Sequence, residues 1–427
     1  MSAIASGEVV RLCTMGSVDD GKSTLIGRLL HDRKLVLDDQ LAAVRDASAR
    51  RGWDGLDLSL ITDGLRAERE QGITIDVAYR YFATPRRRFI LADTPGHVQY
   101  TRNTVTGAST AQVALLLVDA ERGIGEQARR HAFVASLLGV PHLAVCVNKM
   151  DKVDWDEERF VAIRERLSRF AALLGFGDVA FIPLSALHGD NVAERSRRTP
   201  WYDGPTLLAH IETIALAADV DRVGVRLPVQ YVIRERGTSG AAGRWYAGQL
   251  AAGVLRVGDE VVVLPAGLST TVAALANGMP ITSAFPPMSV RVALSDDLDV
   301  SRGDMIVRLT DGPAVVREVD AIVCSLSTQP IAQGSRVVLQ HTSRSTSGVV
   351  TSLRYRIDVN TLERDPAVTA LGFNEIGRAT IRSADPLFYD PYRTNRATGS
   401  LILVDPDTNA TIAAAMIVDP NENEGSL

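Results

Sequence analysis

The sequence is poor in cysteine and aromatic residues and has no long apolar run. Cys13, Cys146 and Cys324 stand far apart in 427 residues, so neither a disulfide framework nor a zinc site is predicted. Phenylalanine, tryptophan and tyrosine make up only 5% of the chain, which argues against a base-stacking platform for nucleic acid. The longest apolar run, Val113–Val118, ends at Asp119 and is far shorter than the roughly 20 residues needed to span a bilayer.

An excess of positive charge is also missing. The chain carries 46 Lys and Arg against 51 Asp and Glu, a formal charge of −5, so it is not expected to coat nucleic acid. The amino terminus lacks the basic and apolar segments of a signal peptide. Together with the few cysteines, these absences predict a cytoplasmic protein that binds neither membrane nor nucleic acid.

What the chain does have is 46% hydrophobic residues, enough for a sizeable core. Up to about residue 215, short apolar runs alternate with amphipathic stretches, which predicts a parallel sheet covered by helices. Beyond that point, short Val, Ile and Thr runs broken by Gly and Pro predict β-barrels. The predicted domains are an α/β domain at 1–220 and two all-β barrels at 227–312 and 313–420. The predicted strands are Val9–Thr14, Phe89–Ala92, Val113–Val118, Leu143–Val147, Val179–Leu184, Val229–Val232, Glu260–Leu264, Val290–Leu294, Val319–Val323, Ser335–Leu339 and Ser400–Val404.

A phosphate-binding loop follows the first predicted strand. Gly16-Ser-Val-Asp-Asp-Gly21-Lys22-Ser23 fits the pattern G-x-x-x-x-G-K-[ST] and opens a predicted helix, the context that this motif requires. Backbone N–H groups would surround the β-phosphate, favoured by the helix N-terminus. Lys22 would bridge the β- and γ-phosphates and Ser23 would bind Mg²⁺. The first domain is therefore predicted to be a P-loop domain that binds a nucleoside triphosphate.

A base-reading loop is predicted where Asn148-Lys149-Met150-Asp151 follows another strand. A carboxylate at Asp151 can accept both the N1–H and the 2-amino group of guanine. Asn148 would meet the 6-oxo/N7 edge, and the Lys149 stem would pack along the ring. A backbone N–H of Ser185-Ala186, after the strand Val179–Leu184, would add a donor to the guanine oxygen.

Two further segments are predicted to sense the γ-phosphate. Asp93 begins Asp-Thr-Pro-Gly96-His97 after a strand and would hold Mg²⁺ through water. Gly96 would offer its N–H to the γ-phosphate, and His97 would orient the attacking water unless it is only a turn histidine. Thr74, in Gly-Ile-Thr-Ile, would ligate Mg²⁺, although this tetrapeptide also fits the plain start of a strand. Both segments would order around GTP.

These motifs, in this order, resemble a GTPase of the translation-factor class, and the two β modules resemble the barrels of elongation factor Tu. One branch matches more closely. Longer strings are similar to the GTP-hydrolysing large subunit of bacterial sulfate adenylyltransferase, and they lie at Gly16–Leu30, Gly72–Phe82, Ala92–Asn103, Thr106–Thr110, Thr199–Leu208, Tyr246–Gly248, Ser301–Asp304 and Arg396–Ser400.

The resemblance implies a function that the residues alone do not. In that family, GTP hydrolysis drives the synthesis of adenosine 5′-phosphosulfate and diphosphate from ATP and sulfate on a small subunit of the ATP-pyrophosphatase type. His97, Lys22 and Thr74 would be catalytic, Val18 and Ile73 would form a hydrophobic gate, and Mg²⁺ would be held at Ser23, Thr74 and, through water, Asp93. The implied GTP-binding residues are Asp19, Asp20, Gly21, Lys22, Ser23, Thr24, Asp93, Gly96, Asn148, Lys149, Asp151, Ser185 and Ala186.

Some features separate this chain from other relatives. Asp20 stands where translation factors usually carry histidine, which favours the sulfate branch over a GTPase that delivers aminoacyl-tRNA. The complete set of Lys22, Thr74, Asp93 and His97 argues against a module that holds GTP without turnover. The absence of a second phosphate loop predicts no adenylyl-sulfate kinase activity. The Gly237–Gly243 loop is richer in Gly and Ala than expected. Arg86–Arg88 is interpreted as a solvated turn or a partner site, and Trp201-Tyr202 as packing against a barrel or as a partner surface.

Overall fold

The structure is a computed structural model that describes residues 9–36, 38–50, 56–61, 76–216, 223–234 and 243–420. The chain divides into two compact units, residues 1–216 and 217–426. Within the described ranges, none of the helices combines the length and the apolar composition needed to cross a membrane.

The first unit is built on a six-stranded sheet. Its strands are β1 (Val9–Met15), β2 (Ala78–Ala83), β3 (Arg88–Asp93), β4 (Val113–Asp119), β5 (His142–Asn148) and β6 (Asp178–Pro183). Its α-helices are α1 (Lys22–Asp32), α2 (Asp38–Arg50), α3 (Thr101–Ala108), α4 (Glu126–Leu137), α5 (Glu157–Leu173) and α6 (Leu207–Thr213). Short 3₁₀ turns lie at Leu58–Ile61, Val98–Tyr100 and Met150–Val153.

The strand order β2-β3-β1-β4-β5-β6 places the predicted motifs at one edge of the sheet. All neighbouring strands run parallel except β2, which is antiparallel to β3. Every residue of the central strand β4 is buried, as expected for a strand covered on both faces. Because parallel strands end at a common edge, the loops after β1, β3, β5 and β6 converge there.

Side-chain caps determine where α5 and α6 begin. The Asp156 carboxylate accepts the N–H of Glu158 at 2.9 Å and caps α5. The Thr206 hydroxyl accepts the N–H of Ala209 at 3.2 Å and caps α6. Such caps satisfy backbone donors that have no partner in the first helical turn. They explain why α5 and α6 begin one residue after Asp156 and Thr206.

The second unit contains two β modules. The first has β7 (Arg226–Pro228), β8 (Tyr231–Arg234), β9 (Arg244–Gln249), β10 (Leu255–Arg256), β11 (Glu260–Leu264), β12 (Leu268–Asn277), β13 (Met279–Ile281), β14 (Ser283–Ala284), β15 (Ser289–Leu294) and β16 (Met305–Arg308). The second has β17 (Ala314–Ser325), β18 (Ile331–Ala332), β19 (Arg336–His341), β20 (Arg344–Ile357), β21 (Arg364–Asp365), β22 (Ala370–Leu371), β23 (Ile376–Tyr389), the short helix α7 (Arg396–Gly399), β24 (Ser400–Val404) and β25 (Thr411–Ile417).

Each β module has its own apolar core. In the second module, β19 pairs with both β24 and β20, so the ring of strands closes into a barrel. A buried ion pair joins the modules, because Arg226 on β7 reaches Asp390 just after β23, with its Nε and Nη2 3.0 and 2.9 Å from the carboxylate oxygens. The predicted fold class, a parallel-dominated α/β G domain followed by all-β modules, is confirmed. The domain limits at 220, 227 and 312 stay predictions.

One predicted strand is misplaced. Val229–Val232 is not continuous, because β7 ends at Pro228 and β8 begins at Tyr231. Between the strands, the Val229 N–H donates to the carbonyl of Asp304 at 2.8 Å, and its carbonyl accepts the N–H of Gly303 at 3.0 Å. The apolar run Val229–Val232 therefore spans the break between β7 and β8 and does not correspond to one strand.

Candidate nucleotide-binding site

The loop between β1 and α1 forms a tight turn closed by the side chain of Lys22. Its Nζ donates to the carbonyls of Gly16 and Ser17 at 3.0 and 2.7 Å. Gly21 precedes α1 with φ +93°, a left-handed conformation that favours glycine. The first N–H groups of α1 have no acceptors within the helix. Together with the ammonium group, they form a positive cradle for phosphate oxygens.

Gly96, after β3, lies directly against this loop. A Cβ at Gly96 would come within 2.3 Å of Lys22 Nζ and 2.8 Å of the Gly16 carbonyl oxygen. Any larger residue would therefore displace the lysine. The structure thus brings together Gly96 and Lys22, the two groups predicted to meet the γ-phosphate.

A buried histidine that sequence reasoning assigned no role supports the loop. His131 on α4 accepts the N–H of Gly16 at its Nδ1, at 2.8 Å, and its Nε2 lies 3.0 Å from the amide nitrogen of Gln127. Burial, with the positive charges of Lys22 and Arg130, lowers the pKa of His131 to about 3. The ring is therefore neutral, as acceptance at Nδ1 requires. The contact joins residues 115 positions apart, and no local motif announces it.

We expect His131→Asn to reduce the acid sensitivity of the first unit. The pKa of about 3 in the folded chain lies below the ordinary 6.5. Between these values the unfolded chain binds a proton that the folded chain does not, so stability falls as pH falls. Asparagine keeps an acceptor for Gly16 but does not titrate. The variant should remove a slope of up to about 1.4 kcal/mol per pH unit.

Thermal unfolding of the variant and the parent chain between about pH 7 and about pH 5 measures this difference. His31→Asn is the matched control, since the His31 side chain is 34% exposed. If the His131 variant loses stability in acid as steeply as the parent, the buried neutral ring is not the source.

Asn148, at the end of β5, connects three loops. Its Nδ2 donates to the carbonyl of Asp20 at 2.7 Å, and its Oδ1 accepts the N–H of Ala186 at 2.9 Å. A Cβ at Gly21 would lie 2.3 Å from Nδ2, so glycine is required there for this contact. The asparagine ties the phosphate loop to the loop after β6, and one N–H of its amide remains for a ligand.

Lys149 and Asp151 extend from the same turn. Lys149 has φ +63°, and its Nζ donates to Asp119 Oδ2 at 2.8 Å, which holds its stem across the loop. Asp151 Oδ1 is buried without a hydrogen-bond partner among the described residues, and its Oδ2 lies 3.9 Å from His188 Nε2. A buried carboxylate oxygen is costly unless it accepts a hydrogen bond. The donors of a guanine base would satisfy it.

The loop after β6 is anchored to α1 as well as to Asn148. Arg28 Nε donates to the carbonyl of Ala186 at 3.1 Å, and its Nη2 donates to the carbonyl of Leu187. Ser185 is fully buried, and its hydroxyl accepts the N–H of His188 at 3.3 Å. Arg28 is therefore a second positioning residue that the motifs did not indicate.

The electrostatics of the phosphate loop are set by burial. Burial raises the pKa of Asp20, whose carboxylate accepts the Ser17 N–H at 2.6 Å. Burial also lowers the pKa of Lys22, although Asp20 and Asp93 act to raise it. A buried ammonium group interacts strongly with an anion because few water molecules screen the charge.

The remaining predicted residues lie around this cradle. Asp93 is buried and accepts a hydrogen bond from the Thr14 hydroxyl at 3.1 Å. His97 is half-buried, and its Nδ1 accepts the N–H of Gln99 at 3.2 Å. Asp19 is exposed with φ +68°, and Ser23 and Thr24 are half-buried in the first turn of α1. Thr74 and Ile73 lie outside the described residues, and so does all of the Gly237–Gly243 loop except Gly243.

Comparisons with known proteins identify the family of each part of the chain. Residues 7–225 match the elongation factor Tu GTP binding domain, and residues 318–418 match the GTP-eEF1A C-terminal domain-like family. The chain is 48% identical to sulfate adenylyltransferase subunit 1 of Bacteroides fragilis, with 98% of this chain and 87% of that protein covered. The chain belongs to the sulfate adenylyltransferase subunit 1 family.

Two further relatives are similar over nearly the whole chain. The bifunctional enzyme CysN/CysC of Mycobacterium tuberculosis is 57% identical, with 96% of this chain and 67% of that protein covered. Subunit 1 of Cellvibrio japonicus is 46% identical, with 98% of this chain and 88% of that protein covered. The family resemblance inferred from the motifs is thereby confirmed, and the first domain is a GTP-binding domain.

Proposed function

We propose that this chain is the GTP-hydrolysing, energy-coupling subunit of a sulfate adenylyltransferase. In this proposal, GTP hydrolysis drives a partner small subunit of the ATP-pyrophosphatase type, which converts ATP and sulfate to adenosine 5′-phosphosulfate and diphosphate. The observation that carries the proposal is the similarity, at 46 and 48% identity over 98% of this chain, to two proteins named sulfate adenylyltransferase subunit 1. The phosphate cradle and the unpartnered Asp151 oxygen support the use of GTP.

The phosphates would lie across the loop between β1 and α1. Asp19, Asp20, Gly21, Lys22, Ser23 and Thr24 are the residues assigned to them. The Lys22 ammonium would exchange its two carbonyl acceptors for β- and γ-phosphate oxygens, and charge-assisted hydrogen bonds to phosphate are stronger than those to neutral carbonyls. The Gly96 N–H would contact the γ-phosphate, whose loss on hydrolysis would release this contact.

Hydrolysis needs a water molecule aligned with the γ-phosphate. His97 would orient that water through the nitrogen that does not contact Gln99, while Val18 and Ile73 would exclude other water. Ser23, Thr74 and, through water, Asp93 would hold Mg²⁺, which would neutralise charge on the phosphates. In the described part of the chain, no three His, Cys, Asp or Glu side chains cluster as metal ligands. A site built on two hydroxyl groups, a carboxylate bridged by water and phosphate oxygens does not need such a cluster.

The guanine base would lie between Asn148, Lys149 and Asp151, with Ser185 and Ala186 at its oxygen. The proposal also places the chain in the cytoplasm. Its three cysteines are buried, and no disulfide joins any of them within the part of the chain that the structure describes, as expected of a protein from a reducing compartment.

The proposal is tested by mixing the chain with its small subunit and measuring adenosine 5′-phosphosulfate formed with GTP, with a non-hydrolysable analogue and without nucleotide. Because a mixed anhydride of phosphate and sulfate is high in energy, we expect substantial product only when GTP is hydrolysed. His97→Ala should lower the rate of GTP hydrolysis and the rate of adenosine 5′-phosphosulfate formation together. His31→Ala, near the end of α1, should lower neither rate. If GTP is hydrolysed and the yield of product is the same without it, the coupling role is wrong.

A further inference from the structure

One face of the sheet in the first unit carries exposed tyrosines and arginines together. We call it the tyrosine–arginine face, and its residues are Val9, Arg11, Tyr79, Tyr81, Arg88 and Ile90. The strand register places Tyr81 opposite Ile90 and Ile90 opposite Arg11, and it places Arg88 opposite Val9. Residues directly opposite one another on neighbouring strands share a face, so these six side chains form one continuous surface.

The exposure of this face is unusual for a sheet in an α/β domain, which helices normally cover on both sides. Tyr81 is 70% exposed, and Tyr79 and Val9 are 42% and 43% exposed. On the opposite face of the same strands, Phe82 stacks on Phe89 at 4.6 Å and both rings are buried. These strands are therefore exposed on the tyrosine–arginine face and buried on the opposite face.

The helix α3 covers the carboxyl end of β3 on this face and leaves its amino end exposed. A Cβ at Gly107 on α3 would lie 3.4 Å from Ala92 Cβ, near the carboxyl end of β3. With eight residues, α3 is about 12 Å long, so it covers only part of strands that extend roughly 20 Å. The amino end of β3, which carries Arg88, stays exposed.

The face carries positive charge that no acidic side chain in the described part of the chain pairs with. Arg11 and Arg88 are exposed and form no ion pair with any described residue. Their neighbour Arg87 behaves differently, because its Nη1 donates to the carbonyls of Ile211 and Ile214 at 3.3 and 2.6 Å. The Arg86–Arg88 run is therefore not uniformly a solvated turn, since Arg87 anchors the end of α6 and Arg88 belongs to the face.

Tyrosine and arginine are among the residues enriched where proteins bind one another, because they combine a large contact area with hydrogen-bonding groups. A surface with two guanidinium groups that pair with no described carboxylate is complementary to the carboxylates of another protein, which arginine binds in a bidentate manner. We propose that the tyrosine–arginine face docks an acidic surface of the partner small subunit. This inference rests on the proposed function, since it assigns a location to the partner.

The position of the face would connect docking to the nucleotide. β3 carries Arg88 and Ile90 and runs on to Asp93, and β2 pairs with it from Ala78 opposite Asp93 to Ala83 opposite Arg88. Gly96 and His97 follow directly. A partner seated on β2 and β3 would thus contact the strands that end at the proposed γ-phosphate sensors, and it would do so without covering the nucleotide.

The test measures the dissociation constant between the full chain and the small subunit. We expect the double variant Arg11→Glu, Arg88→Glu to weaken the complex about 10- to 100-fold, because attraction becomes repulsion at two positions. Tyr81→Ser, a change at a highly exposed side chain, should weaken it in the same direction. Both should keep the GTP affinity of the parent chain. The parent complex should weaken as salt is raised, whereas the complex of the double variant should not weaken and should strengthen where the repulsion is screened.

Arg166→Glu, an exposed arginine on α5, and Tyr231→Ser, a tyrosine 67% exposed on β8, are the matched controls and should bind the subunit normally. If the parent chain binds the subunit and the face variants bind equally well, the docking surface is wrong. If the controls weaken the complex as much as the face variants, the location is also wrong. If the parent chain itself forms no complex, the proposed function fails and this inference fails with it.

Discussion

Lys22→Ala should lower GTP affinity at least about 100-fold. In the structure the Lys22 ammonium bridges two carbonyls of its own loop, and in the complex it would bridge two phosphates. Hydrogen bonds to charged groups contribute roughly 1.5–3 kcal/mol each, and 1.4 kcal/mol is a factor of ten. Two such bonds lost from one buried site therefore account for the expected change. GTP-driven synthesis of adenosine 5′-phosphosulfate should be lost with it.

Titration with a fluorescent GTP analogue measures the affinity directly. Lys34→Ala is the control, because Lys34 is an exposed lysine just beyond the end of the same helix α1 and should bind GTP normally. Since Lys22 also closes its loop, thermal unfolding should accompany the titration to show that the variant is folded. Normal GTP affinity in a folded Lys22 variant would contradict the assignment of the phosphate loop.

The strands and the chemistry-bearing loops of the first unit were predictable because they are local. Apolar runs such as Val113–Val118 identify strands that are buried on both faces, and the loop after each strand carries its motif within a few residues. Parallel strands then bring these loops together without further information. The loops that carry Gly16–Ser23, Asp93 and Asn148–Asp151 therefore lie at one edge of the sheet.

The supporting residues were not predictable in the same way. His131 contacts Gly16 across 115 positions, and Arg28 contacts Ala186 across 158. Neither pair has a characteristic spacing, because each contact depends on how a helix packs beside a loop. A histidine on a buried helix face also has an ordinary structural explanation. Only the tertiary structure shows that its ring nitrogen accepts the first N–H of the phosphate loop.

The sequence also left open the roles of the Trp201-Tyr202 and Arg86–Arg88 motifs. Trp201 was left open between a barrel contact and a partner surface. In the structure its ring lies 5.3 Å from that of Phe160 on α5, and its Nε1 donates to the carbonyl of Trp155 at 3.2 Å. It therefore packs within the first unit.

The direction of each side chain along Arg86–Arg88 depended on strand register, which composition does not reveal.

Asp151→Asn should weaken GTP binding and strengthen the binding of xanthosine triphosphate. The Asp151 Oδ1 is buried without a partner among the described residues, and guanine would supply two donors to this carboxylate. An asparagine side chain accepts one of them and opposes the 2-amino group with its own N–H. The loss of a charge-assisted pair, together with one unsatisfied buried donor, should cost GTP about 100-fold or more. Xanthine carries an oxygen at that position, which the new amide can meet.

Competition between the two nucleotides, measured on the variant and the parent chain, decides the base assignment. Asp154→Asn is the matched control, because Asp154 is exposed three positions along and has φ +51°, a conformation that asparagine tolerates. The control should keep the preference for GTP. A variant at Asp151 with an unchanged base preference would mean that this carboxylate does not face the base. A reversed base preference is diagnostic. A variant in which the loop is unfolded would bind neither nucleotide, whereas a variant of a base-contacting residue binds xanthosine triphosphate in place of GTP.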